Sequence, residues 1–518
     1  MTDETGPAMQ AAVQSWLESG AAFSGQAPRR IATHGNMIFL TPTHAYKLKR
    51  AVDFGWMDFS SLEKRAEACR QELELNRRTA PEIYCRVLAV TEEADGFALD
   101  GSGRPVEWLV EMQRFDEAQR LDHVLDRGAL APGNMRDLAD AIAAFHGAAE
   151  RAAPRDFAAT LEAIAQDNAI DMGRAADLFP EADRTALRDS TLRELDRHRD
   201  LIGARVAAGW LRRCHGDLHL ANIVLWKGRP TPFDCIEFNE DFIAIDPLYD
   251  LAFLLMDLEQ RGRRDLANLV LNRWLAMVPE PAWQLAGLAL LPLFLSIRAG
   301  VRAKISGMQW LEAAGALRSQ RAAEARRYVK HAQAFLQPVP VELVAVGGLS
   351  GSGKSTLAVD LAVGLGPAPG AVLLRSDVLR KRLHGIAPEE RLPPAAYSEA
   401  ENRRMADALV KQCEAALRAG RSVVLDAVNA DPQLRGQLDD LAGGLGCPFT
   451  KLWLEAPLAV LQARVSDRQG DASDATAEIV ERQSTSIVPP TDWQRIDASG
   501  AASETLATAH KLVRQTSR

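Results

Sequence analysis

The segment Gly348-Leu-Ser-Gly-Ser-Gly-Lys-Ser355 constrains this chain more than any other stretch. It matches G-x4-G-K-[ST], and a short β-branched run, Glu342-Leu-Val-Ala-Val-Gly347, stands directly before it. A strand that enters a glycine-rich turn and then a helix can point backbone N–H groups inward at a polyphosphate, with the positive helix end behind them. Gly348, Ser350, Gly351, Ser352, Gly353 and Thr356 are then the cradle. Lys354 reaches the β- and γ-phosphates, and the Ser355 hydroxyl ligates Mg²⁺. ATP with Mg²⁺ is the expected cofactor.

Further strands read at 371–375, 422–426, 451–455 and 495–497, with helical segments between most of them. This alternation predicts a doubly wound parallel α/β sheet, which gathers ligands at the carboxyl ends of its strands. Asp377 lies just past one such end and can take the proton of a hydroxyl that attacks the γ-phosphate. Asp426 ends another strand and can orient Mg²⁺. No glutamate follows it to polarise water, which favours transfer to a bound acceptor over hydrolysis. Arg464 and Arg468, spaced i, i+4, share a helix face and suggest a lid over the transferring phosphoryl group.

Residues 341–515 resemble the zeta-toxin and polynucleotide-kinase branch of P-loop kinases, which also includes small-molecule kinases of the gluconate type. The shared marks are the P-loop, Ser376-Asp377 with Arg380, Asp426-Ala-Val-Asn429, and the two lid arginines. The resemblance implies that Asp377 is the base and that Arg380 holds substrate.

A second signature is Cys214-His-Gly-Asp-Leu-His-Leu-Ala-Asn222, followed by Asp234-Cys-Ile-Glu-Phe-Asn239 and Ile245-Asp-Pro-Leu-Tyr-Asp-Leu-Ala252. An Asp and an Asn five apart let one loop present a base and a metal-binding amide together. The ordered series resembles the aminoglycoside-phosphotransferase branch of the kinase-like fold, over about residues 25–330. That implies an α+β bilobal module with Asp217 as base, Asn222 as metal ligand and His215 as a brace of the loop. Glu237 is the better aligned second metal ligand, with Asp234 in contention. Lys47 and Lys49 share a strand face. The resemblance favours Lys47 for the α- and β-phosphates, paired with Glu72 rather than Glu67. Residues 110–113 are the expected hinge toward adenine, and His34-Gly-Asn36 is all that stands for a glycine-rich loop.

A chain of 518 residues predicts about three packed units. The breaks near 115 and 338 give an upper lobe at 25–115, a helical lobe at 116–335 and the P-loop domain at 341–515. Within the first, Ser60-Ser-Leu-Glu63 fits a capping box that opens a helix. The apolar run at 285–295 is too short to span a bilayer and reads as a buried helix. Arg298, Arg302 and Lys304, just beyond it, suit either a solvated helix end or an anionic substrate. The formal net charge of −8 argues against nucleic-acid coating. Six cysteines without a CxxC pair, and no signal-peptide pattern, suit a reducing cytoplasm. The expectation is a bifunctional phosphotransferase that acts on hydroxyls of small molecules. The alternatives are a nucleotide-gated switch and, in the second half, a 5′-hydroxyl nucleic acid kinase.

Overall fold

Alternating residues in the first hundred positions build a sheet with both faces covered. In the computed structural model, which describes residues 7–466 and 473–516, six strands lie in the order β1-β2-β3-β6-β4-β5. They are β1 (Arg29–Ala32), β2 (Asn36–Leu40), β3 (His44–Lys49), β4 (Tyr84–Glu93), β5 (Gly96–Leu99) and β6 (Arg104–Gln113), and every pairing is antiparallel. Tyr46 and Leu48 of β3 pack with Phe39, Val90 and Leu109 against Val13 and Leu17. Those last two belong to a helix, Pro7–Glu18, that lies ahead of the expected start at residue 25. Ala45, on the opposite face, joins Cys69 and Val110, Cys69 coming from the helix Leu62–Arg77. That helix is capped by Ser61, whose side chain accepts from the Lys64 N–H; the expected cap, Ser60, instead donates its hydroxyl to Asp58.

The packing divides the chain into two units, residues up to Pro154 with Gly209–Leu254, and Arg155–Ala208 with everything from Leu255. These borders differ from 115 and 338. In the first unit, the helix Leu62–Arg77 is tied to the loop at 214: Arg78 donates to the carbonyls of Arg213 and Cys214, and Asn76 Oδ1 accepts from the Cys235 N–H at 2.8 Å. Short pairs β7 (Arg212–Arg213) with β10 (Ala244–Ile245), and β8 (Ile223–Trp226) with β9 (Arg229–Pro232), frame that loop.

The second unit carries a parallel five-stranded sheet in the order β12-β13-β11-β14-β15: β11 (Leu343–Gly348), β12 (Val372–Arg375), β13 (Val423–Asp426), β14 (Phe449–Glu455) and β15 (Gln494–Asp497). Its edge strand β12 is not left open. Asn268 and Asn272, on the helix Arg264–Met277, donate to the Ala371 carbonyl at 3.0 and 3.1 Å, and Asn272 Oδ1 accepts from the Leu373 N–H at 2.7 Å. Arg382 caps the same helix through the carbonyls of Leu275, Ala276 and Val278. An unprotected edge invites pairing with other chains. A fragment starting at 338 is therefore expected to melt well below the same domain in the full chain. Several lost hydrogen bonds at ~1 kcal/mol each correspond to a drop of roughly 10 °C. Calorimetry of the fragment beside the full chain checks this; equal melting temperatures would count against it.

One helical stretch, Pro281–Glu312, is long and apolar enough to cross a membrane (mean hydropathy 1.6), and 78% of its apolar window is buried inside the protein. It is a core helix, as the sequence suggests. Arg302 lies over the Tyr328 ring and Lys304 pairs with Asp171 at 3.6 Å, so neither is a bare helix-end charge.

Candidate active sites

The first site starts from the two-residue period of β3, which places Lys47 and Lys49 side by side under the helix Leu62–Arg77. Both are buried. Glu72 receives both: Lys47 Nζ donates to Oε1 at 2.7 Å, and Lys49 donates to Oε2. Glu67 faces solvent and pairs with Arg70 instead. Each lysine then has a second acid. Lys47 meets Asp234 Oδ1 at 2.6 Å, and Lys49 meets Glu237.

These contacts separate the two candidate metal ligands. The Glu237 side chain, paired with Lys49, is 5% exposed, whereas the Asp234 side chain, paired with Lys47, is 43% exposed. Asp234 is the more accessible of the two candidate acids, and Glu237 the better aligned in sequence. Asp234 also holds φ at +62°, a conformation rare for residues other than glycine, and its N–H donates to Tyr84 Oη at 3.1 Å.

Two ammonium groups face three carboxylates here, which leaves one surplus negative charge. Burial pushes the Glu72 carboxyl up, but Lys47 and Lys49 outweigh it and bring its pKa down to about 2. Glu237 goes the other way, because burial and the Glu72 charge outweigh Lys49. Burial pulls Lys47 down, and Asp234 and Glu72 more than reverse it. Because the folded pKa of Glu72 lies below its ordinary 4.5, its contribution to stability is complete above pH 4.5 and is lost as the pH falls toward 2. Unfolding midpoints measured from pH 6 to pH 3 are expected to fall more steeply for the native chain than for Glu72→Gln.

The loop from Cys214 to Asn222 is held from behind by Asp250, on the helix Pro247–Gln260. Its Oδ2 accepts the His215 N–H at 3.0 Å and meets His146 Nε2 at 3.1 Å, while Oδ1 accepts the Gly216 N–H at 2.9 Å. Gly216 takes φ +86°, and a Cβ there would lie 2.8 Å from the Phe242 carbonyl oxygen. His215, kept neutral by burial, bonds the Phe233 carbonyl through Nε2 at 3.0 Å. Asn222 Nδ2 donates to Asp217 Oδ2 at 2.8 Å. The Asp217 side chain is 35% exposed, with His219 Nε2 at 3.3 Å. Hairpin β8–β9 extends to a bond from the Phe233 N–H to the Asn222 carbonyl at 2.9 Å, so Asn222 and Asp234 leave it at the same end. Oxygen donors from an amide and a carboxylate, beside a surplus negative charge, suit Mg²⁺. The expected hinge at 110–113 is corrected: these residues pair with β3 and β4 inside the sheet, so their backbone is spent on the ladders, and the chain first leaves the strand after Gln113.

The second site is built on β11. Gly348, Gly351 and Gly353 take φ of +134°, +83° and +90°, and a Cβ at Gly351 would lie 2.5 Å from the Leu461 carbonyl oxygen. The Ser352 hydroxyl is buried with no hydrogen-bond partner among the described residues, and the Ser350 N–H bonds Gln483 Oε1 at 2.9 Å. A cradle with an orphaned hydroxyl at its centre fits a phosphate. Lys354 and Ser355 open the following helix, Lys354–Gly364, and Lys354 Nζ rests on the Leu349 carbonyl at 2.8 Å.

Parallel pairing sets Arg375 opposite Asp426 at the carboxyl ends of β12 and β13. Arg375 Nε donates to Asp426 Oδ2 at 3.1 Å, and Nη2 to Ser355 Oγ at 3.2 Å. Asp377 stands in the first turn of the next helix, Ser376–Leu383. Burial and the Asp426 charge push its carboxyl up, against Lys354, the Ser473 hydroxyl and Arg375.

Two of the expected arginines hold main-chain carbonyls. Arg380 is buried, donates to the Ala396 carbonyl at 2.8 Å, stacks over the Tyr397 ring and feels the Asp377 charge. Arg464 bonds the Ala498 carbonyl at 2.9 Å and lines a cavity of about 440 Å³ with Gly351, Gly353, Thr356 and Thr505. None of Arg375, Asp377 and Asp426 lines that cavity. Arg468 lies outside the described residues.

Two family models match the chain, the phosphotransferase enzyme family over residues 56–291 and an AAA domain over residues 343–490. The uncharacterized proteins Rv2004c of Mycobacterium tuberculosis and Mb2027c of Mycobacterium bovis are each 30% identical over 493 residues, which is 93% of this chain and 94% of theirs. The chain belongs to their family. It is an ATP-dependent kinase, with a phosphotransferase region followed by a P-loop kinase-like domain. Among solved structures, a choline/ethanolamine kinase family protein from Mesorhizobium loti is 15% identical, covering 63% of this chain and 99% of its own, at TM-score 0.37. A gluconokinase from Sinorhizobium meliloti is 20% identical, covering 35% and 95%, at TM-score 0.26.

In the phosphotransferase region, sequence reasoning passed over Asp250, His146 and Tyr84. Asp250 stood in the Asp-Pro…Asp-Leu-Ala run, and its spacing from the loop was a usable signal. His146 and Tyr84 lie far upstream in chains of ordinary residues and carried none. In the P-loop domain the overlooked residue was Arg375, two positions before Asp377.

Proposed function

We propose that both halves of this kinase are catalytic, each moving the γ-phosphate of ATP to a hydroxyl of its own small-molecule acceptor. The observation that carries this is the completeness of the first site, where a buried lysine–glutamate pair meets a half-exposed aspartate and a base is held by the Asp217–Asn222 bond. Lys47, oriented by Glu72, binds the α- and β-phosphates. Asp217, fixed by Asn222 and by the braced loop, orients the acceptor hydroxyl and takes its proton. Asn222 and Asp234 hold Mg²⁺, which when bound neutralises charge on the β- and γ-phosphates. In the second site Lys354 and the 348–353 amides grip the phosphates, Ser355 and Asp426 are the metal residues, and Asp377 is the base.

The test incubates the full chain and its Asp217→Asn, Asp377→Asn and double variants with radiolabelled ATP. The acceptor panel comprises sugars, amino alcohols, aminoglycosides and a 5′-hydroxyl oligonucleotide. Each single substitution is expected to remove its own subset of labelled products by ~10²-fold or more, and the double to remove all. If Asp217→Asn removes none, the first module acts as a nucleotide-binding switch. Label on the oligonucleotide would replace the small-molecule reading of the second half.

A further inference from the structure

We infer that Arg375 competes with the metal for Ser355 and Asp426, so that Mg²⁺ enters the second site only together with nucleotide, whose phosphates take over the guanidinium. This rests on the reading of that site as a Mg·ATP site. The two oxygens that would converge on the ion, Ser355 Oγ and Asp426 Oδ2, are the two that Arg375 holds at 3.2 and 3.1 Å. Mg²⁺ demands its ligands at about 2.0–2.1 Å in near-octahedral order. A guanidinium that bridges the two oxygens stands where the ion would sit, and the two cations repel. Parallel register favours the arrangement: Arg375 and Asp426 are paired at the ends of adjacent strands, so their side chains rise on the same side of the sheet.

The Arg375 side chain is 20% exposed and Asp426 6%, so the arginine has room to leave while the acid stays fixed. The planar guanidinium matches two oxygens of a phosphate at once, so incoming nucleotide offers it a bidentate anionic partner. Arg380 and Arg464 instead donate to the carbonyls of Ala396 and Ala498. Arg375 is the described arginine that touches the metal residues directly. It is a positioning residue, acting on the metal's ligands.

The experiment measures Mn²⁺ binding to the full chain by electron paramagnetic resonance, with and without a non-hydrolysable ATP analogue. Mn²⁺ bound at the first site is a constant background, and the second site is defined as the increment that Asp426→Ala removes. Without nucleotide, Arg375→Gln is expected to bind Mn²⁺ at the second site at least tenfold more tightly than the native chain. Arg375→Lys, which keeps the charge, stays close to native. The Arg375→Gln/Asp426→Ala double variant loses the gain. Unchanged or weaker nucleotide-free binding in folded Arg375→Gln overturns the proposal; should that variant not fold, Arg375→Lys binding Mn²⁺ tenfold better than native overturns it equally. If no Asp426-dependent increment appears even with the analogue, the metal reading of the site is what fails.

Discussion

Lys354→Ala is expected to abolish phosphoryl transfer by the P-loop domain while leaving the products of the first site untouched. The lysine follows directly on the glycine loop, and its ammonium rests on the Leu349 carbonyl, a neutral partner within the loop itself. A short swing carries it from that carbonyl to the phosphates, where charge builds as the γ-phosphoryl group leaves. Losing one preorganised donor in such a position costs ~10²–10³-fold in rate, and here nucleotide grip is lost as well. Alanine leaves the fold intact, because the glycine backbone and the packed strand β11 carry the loop's shape. The measurement is labelled-product formation in an Asp217→Asn background, where second-site products stand alone. Residual transfer within threefold of the parent chain would sink the assignment.

Glu72→Ala is expected to be the most destabilising single substitution in the first unit. It strips the shared acceptor from two fully enclosed ammonium groups, Lys47 and Lys49, and leaves them with Asp234 and Glu237 alone. Breaking one buried ion pair by removing a partner costs ~3–5 kcal/mol, equivalent to a fall of roughly 10 °C or more for a unit of this size. Burial by itself disfavours every charge in the cluster, so the arrangement holds only as a set. Glu72→Gln, which retains the shape and some hydrogen bonding, falls less in stability but loses first-site transfer equally, because Lys47 is no longer aimed. Chemical denaturation followed by circular dichroism reads the first effect and product formation the second. An alanine variant that melts with the native chain would show that the lysines are satisfied without Glu72.

The chemistry-bearing stretches were legible because each is short and local. A glycine loop behind a strand, an Asp and Asn five apart, and an alternating Lys-x-Lys pattern all act through neighbours in the chain, so their spacing is their signal. The same holds for the parallel strands, which the structure shows within two residues of their expected positions. Placement across long distances was not legible. Arg380 and Arg464 each donate to a main-chain carbonyl, of Ala396 and Ala498, that no spacing announces. Spacing along a helix shows which side chains share a face but not what that face meets.

By itself, the sequence determined that this chain carries two unrelated kinase-type regions, since both signatures are written in contiguous residues whose backbone geometry follows from glycine and strand–helix order. Only the tertiary structure decided which charges stay available. It enclosed Glu237 with Lys49 and left Asp234 half-exposed beside Lys47, set Arg375 against Ser355 and Asp426, and sealed β12 with two asparagines a hundred residues upstream. The physical reason is common to all three. A buried polar or charged group must find a partner, and the partner is whichever group the fold brings near, however distant in the chain.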